Sequence, residues 1–94
     1  MKHPTKIEKY NGSLRELAED IGNLRYDALA EFLSALSYKL KRDSNADEKR
    51  GRKKLAEGLD HMGYKLLLAK IDAEIIWDIC KPHMDLEDET KSQD

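Results

Sequence analysis

The stretch that decides the fold runs from Leu55 to Cys80 and reads LAEGLDHMGYKLLLAKIDAEIIWDIC. Apolar or small side chains recur through it at alternating spacings of four and three residues, at Leu55, Leu59, Met62, Leu66, Ala69, Ala73, Ile76 and Cys80. This heptad-like repeat predicts one long helix with a continuous apolar seam. Gly58 and Gly63 each cost about 1 kcal/mol relative to alanine in a helix, but neither shifts the phase of the repeat. We therefore predict a helix over 46–80, which ends before Pro82 because proline disfavours helix in the residue that precedes it.

The same helix carries a second apolar face, roughly opposite the seam. Its members are Leu68, Ile71, Ile75 and Ile79. A helix that is apolar on most sides needs neighbours on most sides. The helix from Leu55 to Cys80 would be about 39 Å long, whereas the helix predicted before it is about 28 Å long and cannot cover it alone. We predict that these four residues form a self-association face, with a two-fold dimer as the commonest arrangement. Two alternatives stay open: a monomer covers this face with its first helix and its N-terminal arm, or the face binds another protein.

Two helices precede the long one. The sequence Ser13-Leu14-Arg15-Glu16 fits a capping box and predicts a helix start, and Gly22-Asn23 predicts its end, which gives a helix over 13–21. Asn23 is equally suited to cap the next helix. That helix is predicted over 24–42 from a stripe of large apolar side chains, which comprises Tyr26, Leu29, Leu33, Leu36 and Leu40 and is widened by Phe32.

The residues 43–48 are predicted to hold a turn followed by the start of the long helix at 46, with Ser44 or Asn45 as its cap. The expected fold is therefore all-α, with a short helix followed by a long antiparallel helical hairpin. Dimerisation is expected to complete it as a helical bundle. Residues 1–12 are predicted to be an arm that docks through Ile7 and Tyr10, residues 13–82 a single helical domain, and residues 83–94 an acidic, disordered tail.

Charge is unevenly distributed along the 94 residues, although the net charge is only -2. Residues 1–54 carry a net charge of +4 and residues 55–94 a net charge of -6. Such an asymmetry bears on partners rather than on fold. With 38% charged residues, no stretch approaches the roughly 18 consecutive apolar residues of a membrane span. The single cysteine, Cys80, cannot form an intramolecular disulfide, and we predict a cytoplasmic location.

Catalysis and metal binding receive little support from the sequence. There is no glycine-rich phosphate loop, no HExxH and no paired CxxC. Glu57 with His61, or Cys80 with His83, could each supply two metal ligands, but a structural zinc site needs four and a catalytic site needs three. We predict no catalytic residues, no metal site and no cofactor. A small hydrolase formed at a dimer interface is the weakest alternative.

Nucleic-acid binding is a stronger alternative. Residues 39–54 contain eight basic and three acidic side chains. The candidate contacts are Lys41, Arg42, Arg50, Arg52, Lys53 and Lys54. Such a segment would bind phosphates without sequence preference and with strong salt dependence, although it lacks interleaved aromatic residues for stacking. Because the net charge of the chain is negative, we favour a non-enzymatic, self-associating regulatory or adaptor module over a nucleic-acid-binding accessory protein.

Overall fold

The computed structural model describes the backbone of residues 3–93 and the side chains of residues 3–83. Within that range the chain forms three helices and no strand: α1 (Leu14–Gly22), α2 (Tyr26–Lys49) and α3 (Lys53–Gln93). Helices α2 and α3 pack against each other as an antiparallel pair, in which late residues of α2 lie beside early residues of α3. The predicted all-α architecture with a helical hairpin is confirmed, and completion of a bundle by dimerisation stays a prediction.

Helix α1 begins where the sequence predicts. The Ser13 side chain accepts a hydrogen bond from the Glu16 backbone N–H at 3.1 Å, and the Glu16 carboxylate accepts one from the Ser13 backbone N–H at 2.9 Å. Asn23 caps the end of α1, so it does not cap α2, whose N-cap is Arg25. No residue of α1 is fully buried, and Leu14 remains 58% exposed. The first helix therefore contributes little to the packing of the hairpin.

The N-terminal arm is attached to α1 through Tyr10. The Tyr10 hydroxyl donates a hydrogen bond to the Asp20 carboxylate at 2.5 Å, and this bond raises the pKa of Tyr10 to about 12. Gly12 permits this position of the ring, because a Cβ atom there would lie 2.7 Å from the Tyr10 ring. Ile7 remains 49% exposed. Of the two predicted docking residues, Tyr10 thus makes the specific contact.

The turn and helix start predicted within 43–48 are wrong, because α2 continues through this segment to Lys49 and α3 begins only at Lys53. Ser44, predicted as a cap or turn residue, is 1% exposed, and Asp47 is 8% exposed. Serine, asparagine and aspartate favour caps only when their side chains are free to bond the backbone of a helix terminus. Here tertiary packing overrides that local preference, because Ser44 is buried against α3 and Asp47 is buried beside the hairpin turn.

The hairpin reverses direction at Gly51, which has a φ of +81°. The Gly51 N–H donates to the Glu48 carbonyl at 3.0 Å, and the Arg52 N–H donates to the Asp47 carbonyl at 2.9 Å. This pair of bonds is a Schellman motif, which requires a residue in the left-handed conformation and is usually formed by glycine. The Asp47 carboxylate lies 3.6 Å from the guanidinium groups of both Arg50 and Arg52. The basic residues Arg50 and Arg52 therefore form the turn itself, together with Gly51.

Helix α3 ends thirteen residues later than the predicted end at Cys80, since it includes Pro82 and continues to Gln93. Proline removes one backbone donor, but its fixed φ is compatible with the α-helix, so a helix can continue past it with one hydrogen bond fewer. The helical backbone thus occupies most of the segment 83–94 that the sequence assigns to a disordered tail.

Small residues form the closest contact between α2 and α3. On α2 they recur every seven residues, at Ala30, Ser37 and Ser44, and on α3 they are Ala56, Gly63 and Ala73. The hydroxyl of Ser37 donates to the Gly63 carbonyl, and that of Ser44 donates to the Ala56 carbonyl, each at 2.8 Å. A Cβ atom on Gly63 would lie only 3.4 Å from the Ser37 carbonyl oxygen. We call these six residues the contact face.

The apolar seam predicted from heptad spacing is only partly used for this packing. Ala73 is buried, whereas Leu55 and Met62 remain 50% and 53% exposed. Because small residues occupy the centre of the contact, the large seam residues lie to one side of it. The resulting molecule is long and thin, with principal extents of 56 × 30 × 15 Å and a radius of gyration of 16.9 Å, against about 12 Å for a compact chain of this length.

Candidate functional site

The second apolar face of α3 is open to solvent along its length. Leu68 is 44% exposed, Ile71 43%, Ile75 52% and Ile79 69%. Leu68 follows Gly63 by five residues, which turns it about 140° away from the contact with α2 at 100° per residue. We call these four residues the outward face. Their exposure means that neither the N-terminal arm nor α1 covers them, contrary to the alternative in which a monomer buries this face.

Further apolar side chains lie beside the outward face. Tyr64 is 60% exposed and Ile76 is 43% exposed. Lys65 and Asp72, two charged residues of α3, are both exposed. The outward face is therefore an apolar strip with a charged edge, which is the general anatomy of a protein–protein interface.

A shallow groove of about 940 Å³ separates α2 from α3 on another side of the hairpin, where Tyr38 and Trp77 lie among charged residues. Lys70 contacts Glu74 at 3.1 Å. Beside the groove, the Arg25 guanidinium lies 5.0 Å above the Trp77 ring. Lys70 and Glu74, two of the charged residues that line this groove, thus pair with each other.

Asp27, at one end of that groove, is also paired. Its carboxylate accepts a hydrogen bond from the Arg25 guanidinium at 2.7 Å. That bond is the main reason why the pKa of Asp27 lies below its ordinary value. A carboxylate held in its charged form and paired in this way is unsuited to act as a general base near neutral pH.

Several of the candidate nucleic-acid contacts are engaged within the chain. Lys41 donates to the Asp60 carboxylate across the two helices at 3.0 Å, and this bond lowers the pKa of Asp60. Arg42 lies 5.4 Å from the centre of the Tyr38 ring. Arg50 and Arg52 flank Asp47, as described above for the turn.

The remaining candidates, Lys53 and Lys54, are exposed in the first turn of α3. Elsewhere in the basic segment, Lys39 binds Asp43 at 2.6 Å and lowers the pKa of that carboxyl group. Local acids thus offset much of the positive charge that the sequence places at 39–54. Nucleic-acid binding stays a prediction, and nothing in this geometry adds to it.

The candidate metal ligands do not come together in the part of the chain that the structure describes. Glu57 and His61 are exposed on α3, Cys80 is half-buried and His83 is exposed. Among these described residues, no group of three histidine, cysteine, aspartate or glutamate side chains is placed to hold a metal ion. In the same range, no helix combines the length and apolar character that crossing a bilayer requires.

The role of Ser37, Ser44 and Gly63 at the contact face was not anticipated from the sequence. A search for large apolar residues passes over them. The signal that would have found them is the seven-residue spacing of small residues on both helices, at 30, 37 and 44 and at 56 and 63. That spacing keeps one narrow stripe of each helix facing the other.

Comparison of the chain with protein-family models, with curated proteins and with solved structures finds no match.

Proposed function

We propose that this chain is a small, non-enzymatic helical module that associates with a second copy of itself through the outward face of α3 and acts as a regulator or adaptor. One observation carries the proposal. Leu68, Ile71, Ile75 and Ile79 are 43–69% exposed on a helix whose other side is occupied by α2. Contiguous exposed apolar patches typically mark interaction sites.

The energetics favour a reversible dimer. Fully burying an aliphatic side chain contributes about 1.5–3 kcal/mol, so covering the exposed half of each outward-face residue contributes about 1 kcal/mol. Each copy contributes four such residues, so a symmetric dimer covers eight of them and gains about 8 kcal/mol from their burial. The loss of translational and rotational freedom costs about 4–15 kcal/mol. Because these figures are similar, we expect the monomer and dimer to exchange with protein concentration.

Further observations fit a module whose partner is another protein chain. Lys41, Lys70 and the two arginines of the turn are paired with acidic groups of the same chain, whereas the outward face of α3 is apolar and uncovered. The single cysteine, Cys80, is half-buried and has no second cysteine to pair with in its own chain, and this supports the cytoplasmic location that we propose.

The test is the mass in solution, measured by light scattering over a range of protein concentrations. The unaltered chain should shift from monomer to dimer as its concentration rises. The double variant Ile71→Lys/Ile75→Lys should remain monomeric, because two lysines per copy would have to be desolvated at the centre of the interface. Circular dichroism should show unchanged helix content, since both side chains are already about half exposed.

The matched control is the double variant Leu55→Lys/Met62→Lys. These residues lie on the same helix and are 50% and 53% exposed, so the charge added and the burial disturbed are similar, but they lie outside the outward face. The control should dimerise like the unaltered chain. A dimer that survives Ile71→Lys/Ile75→Lys would falsify the assignment of the interface, and a monomer at all concentrations would refute the proposed self-association.

A further inference from the structure

We infer that the two copies of α3 pair in antiparallel orientation, so that the basic turn of each copy lies beside the acidic end of its partner. This inference rests on the proposed function, because it describes how the outward faces meet. The occupant of the face is a second copy of this chain. The position of the face along α3 and the charges at the two ends of the helix support this arrangement.

The outward face lies at the middle of α3. The helix spans the 41 residues from Lys53 to Gln93, so its midpoint is Ala73. The face extends from Leu68 to Ile79, and its centre lies between residues 73 and 74. Two such helices that pair face to face in antiparallel orientation therefore overlap over their whole length. A two-fold axis then crosses the interface at the level of residues 73 and 74, and each end of one helix meets the opposite end of the other.

The two ends of α3 carry opposite charges. Residues 49–54, which form the turn and the first helical residues, contain five basic and no acidic side chains. Residues 84–94 contain five acidic side chains and one basic side chain. Within the described side chains, Lys53 and Lys54 are exposed at the basic end. The chain thus has a strongly polarised helix with its apolar face in the centre.

Antiparallel pairing brings each basic end beside an acidic end. With the axis between residues 73 and 74, the acidic segment 85–89 lies alongside partner residues 58–62, which are four to nine residues, or about 6–14 Å along the helix, from the partner's Lys54 and Lys53. That separation is close to the screening length at physiological ionic strength, about 8 Å. A parallel pair would instead place the two basic turns together and the two acidic ends together. Like charges in such positions oppose association.

The orientation can be measured from distances between spin labels by pulsed electron paramagnetic resonance. One label is attached at Glu57→Cys and, in a separate sample, another at Asp72→Cys, each in a Cys80→Ser background. Both labelled positions are exposed, so neither label disturbs the α2–α3 contact. Light scattering on each labelled protein establishes that it is dimeric at the concentration used.

The antiparallel pair predicts a long distance at one position and a short distance at the other. Residue 57 and its counterpart are separated by 33 residues along the helix axes, which corresponds to about 50 Å. Residue 72 and its counterpart should lie within about 20 Å, since helix axes in contact are about 10 Å apart. Short distances at both positions would show a parallel pair and overturn the inference. A long distance at residue 72 in a dimeric sample would show that another surface forms the dimer. Samples that light scattering finds monomeric would overturn the proposed function itself, together with this inference.

A second measurement tests the charges. The variant Lys53→Glu/Lys54→Glu should raise the dissociation constant of the dimer about tenfold at low salt, as expected for the loss of a few exposed ion pairs. Adding Glu87→Lys/Asp88→Lys to that variant should restore the affinity, because the charges are then exchanged between the two ends. An unchanged dissociation constant in the first variant, or no recovery in the second, would contradict the pairing of basic and acidic ends.

Discussion

The α3 residues of the contact face lie on a different side of the helix from the outward face. The two faces differ in a way that hydrophobicity does not predict. The contact face has small side chains, and Ala56 and Ala73 in it are 4% and 3% exposed. The outward face has large branched side chains, and Ile79 in it is 69% exposed. The less hydrophobic of the two is the one that is buried within the chain. The side of a helix that packs internally is thus decided by how closely its neighbour can approach.

The short connection between the helices explains this choice. Only Arg50, Gly51 and Arg52 separate α2 from α3, so the helix axes must begin close together. Small residues next to the turn allow that closeness, and the serine hydroxyls of Ser37 and Ser44 add hydrogen bonds to carbonyl groups of α3. The large apolar residues are displaced to the flanks or to the far side of α3, where another chain can cover them.

The largest effect is expected from filling the closest point of the contact face. In Gly63→Leu, the Cβ atom alone would lie 3.4 Å from the Ser37 carbonyl oxygen, and the rest of the side chain would have to enter the contact between the helices. Overpacking of this kind costs about 1–3 kcal/mol. We expect the free energy of unfolding, measured by urea denaturation of dilute protein, to fall by about 2 kcal/mol.

The matched control for this variant is Gly58→Leu on the same helix. Nothing lies within 4 Å of a Cβ atom built on Gly58, so the substitution adds helix propensity without a clash. It should raise the free energy of unfolding by about 0.5–1 kcal/mol. If both variants shift stability in the same direction, the close approach at Gly63 does not govern the packing of the hairpin.

The next effect concerns the turn that holds the two helices together. Gly51→Ala places a Cβ atom at a φ of +81°, and the left-handed conformation costs a non-glycine residue about 1–2 kcal/mol. Since alanine also restricts the unfolded chain, we expect a net loss of about 1 kcal/mol in thermal or urea unfolding. Gly22→Ala, in the last turn of α1 with open space around it, serves as the control and should not destabilise. Equal stability of Gly51→Ala and the unaltered chain would show that the turn conformation is not required.

How far the sequence predicts this fold depends on the kind of residue that carries each feature. The capping box at Ser13 is a local signal and is confirmed, and the amphipathic stripes correctly predict that α2 and α3 pack together. The turn lies later than the sequence predicts, because Ser44 and Asp47 favour caps in isolation, whereas tertiary packing buries both of them here. Pro82 likewise predicts a helix end, although a helix that loses one hydrogen bond can continue past it.

The features of the candidate site also differ in how far the sequence predicts them. The periodicity of the sequence predicts that one helix face presents Leu68, Ile71, Ile75 and Ile79 in the same direction. Whether an intramolecular neighbour covers them depends on the path of α1 and of the arm, which no local pattern encodes. The ion pair between Lys41 and Asp60 is equally invisible in the sequence, because it joins residues whose proximity is created by the turn at Gly51.

A substitution on the outward face is expected to change the free energy of unfolding less than these, as long as the chain is monomeric. Ile75→Gln removes an apolar group that is 52% exposed, and substitutions at such positions usually change stability by less than about 0.5 kcal/mol. The difference from the unaltered chain should grow with protein concentration, because dimerisation stabilises the folded state by mass action. Thermal unfolding at several concentrations measures this.

For that experiment, Met62→Gln is the control with similar exposure, 53%, and it should keep the concentration dependence of the unaltered chain. A large loss of stability from Ile75→Gln at high dilution would mean that the outward face packs within its own chain, and the distinction between the two faces would fail.

The smallest effect is expected from the ion pair at the rim of the contact face. The hydrogen bond from Lys41 holds the pKa of Asp60 below its ordinary value of 3.8. The bond therefore stabilises the folded chain above that pH and is lost as the pH falls through the lower folded-state pKa. The Lys41 and Asp60 side chains are 57% and 47% exposed, so solvent screening keeps the contribution small. The urea midpoint of the unaltered chain should fall slightly more between about pH 6 and about pH 3 than that of Asp60→Asn, and added salt should reduce this difference. Identical pH profiles would mean that close packing of small residues alone, without the cross-helix ion pair, holds α2 against α3.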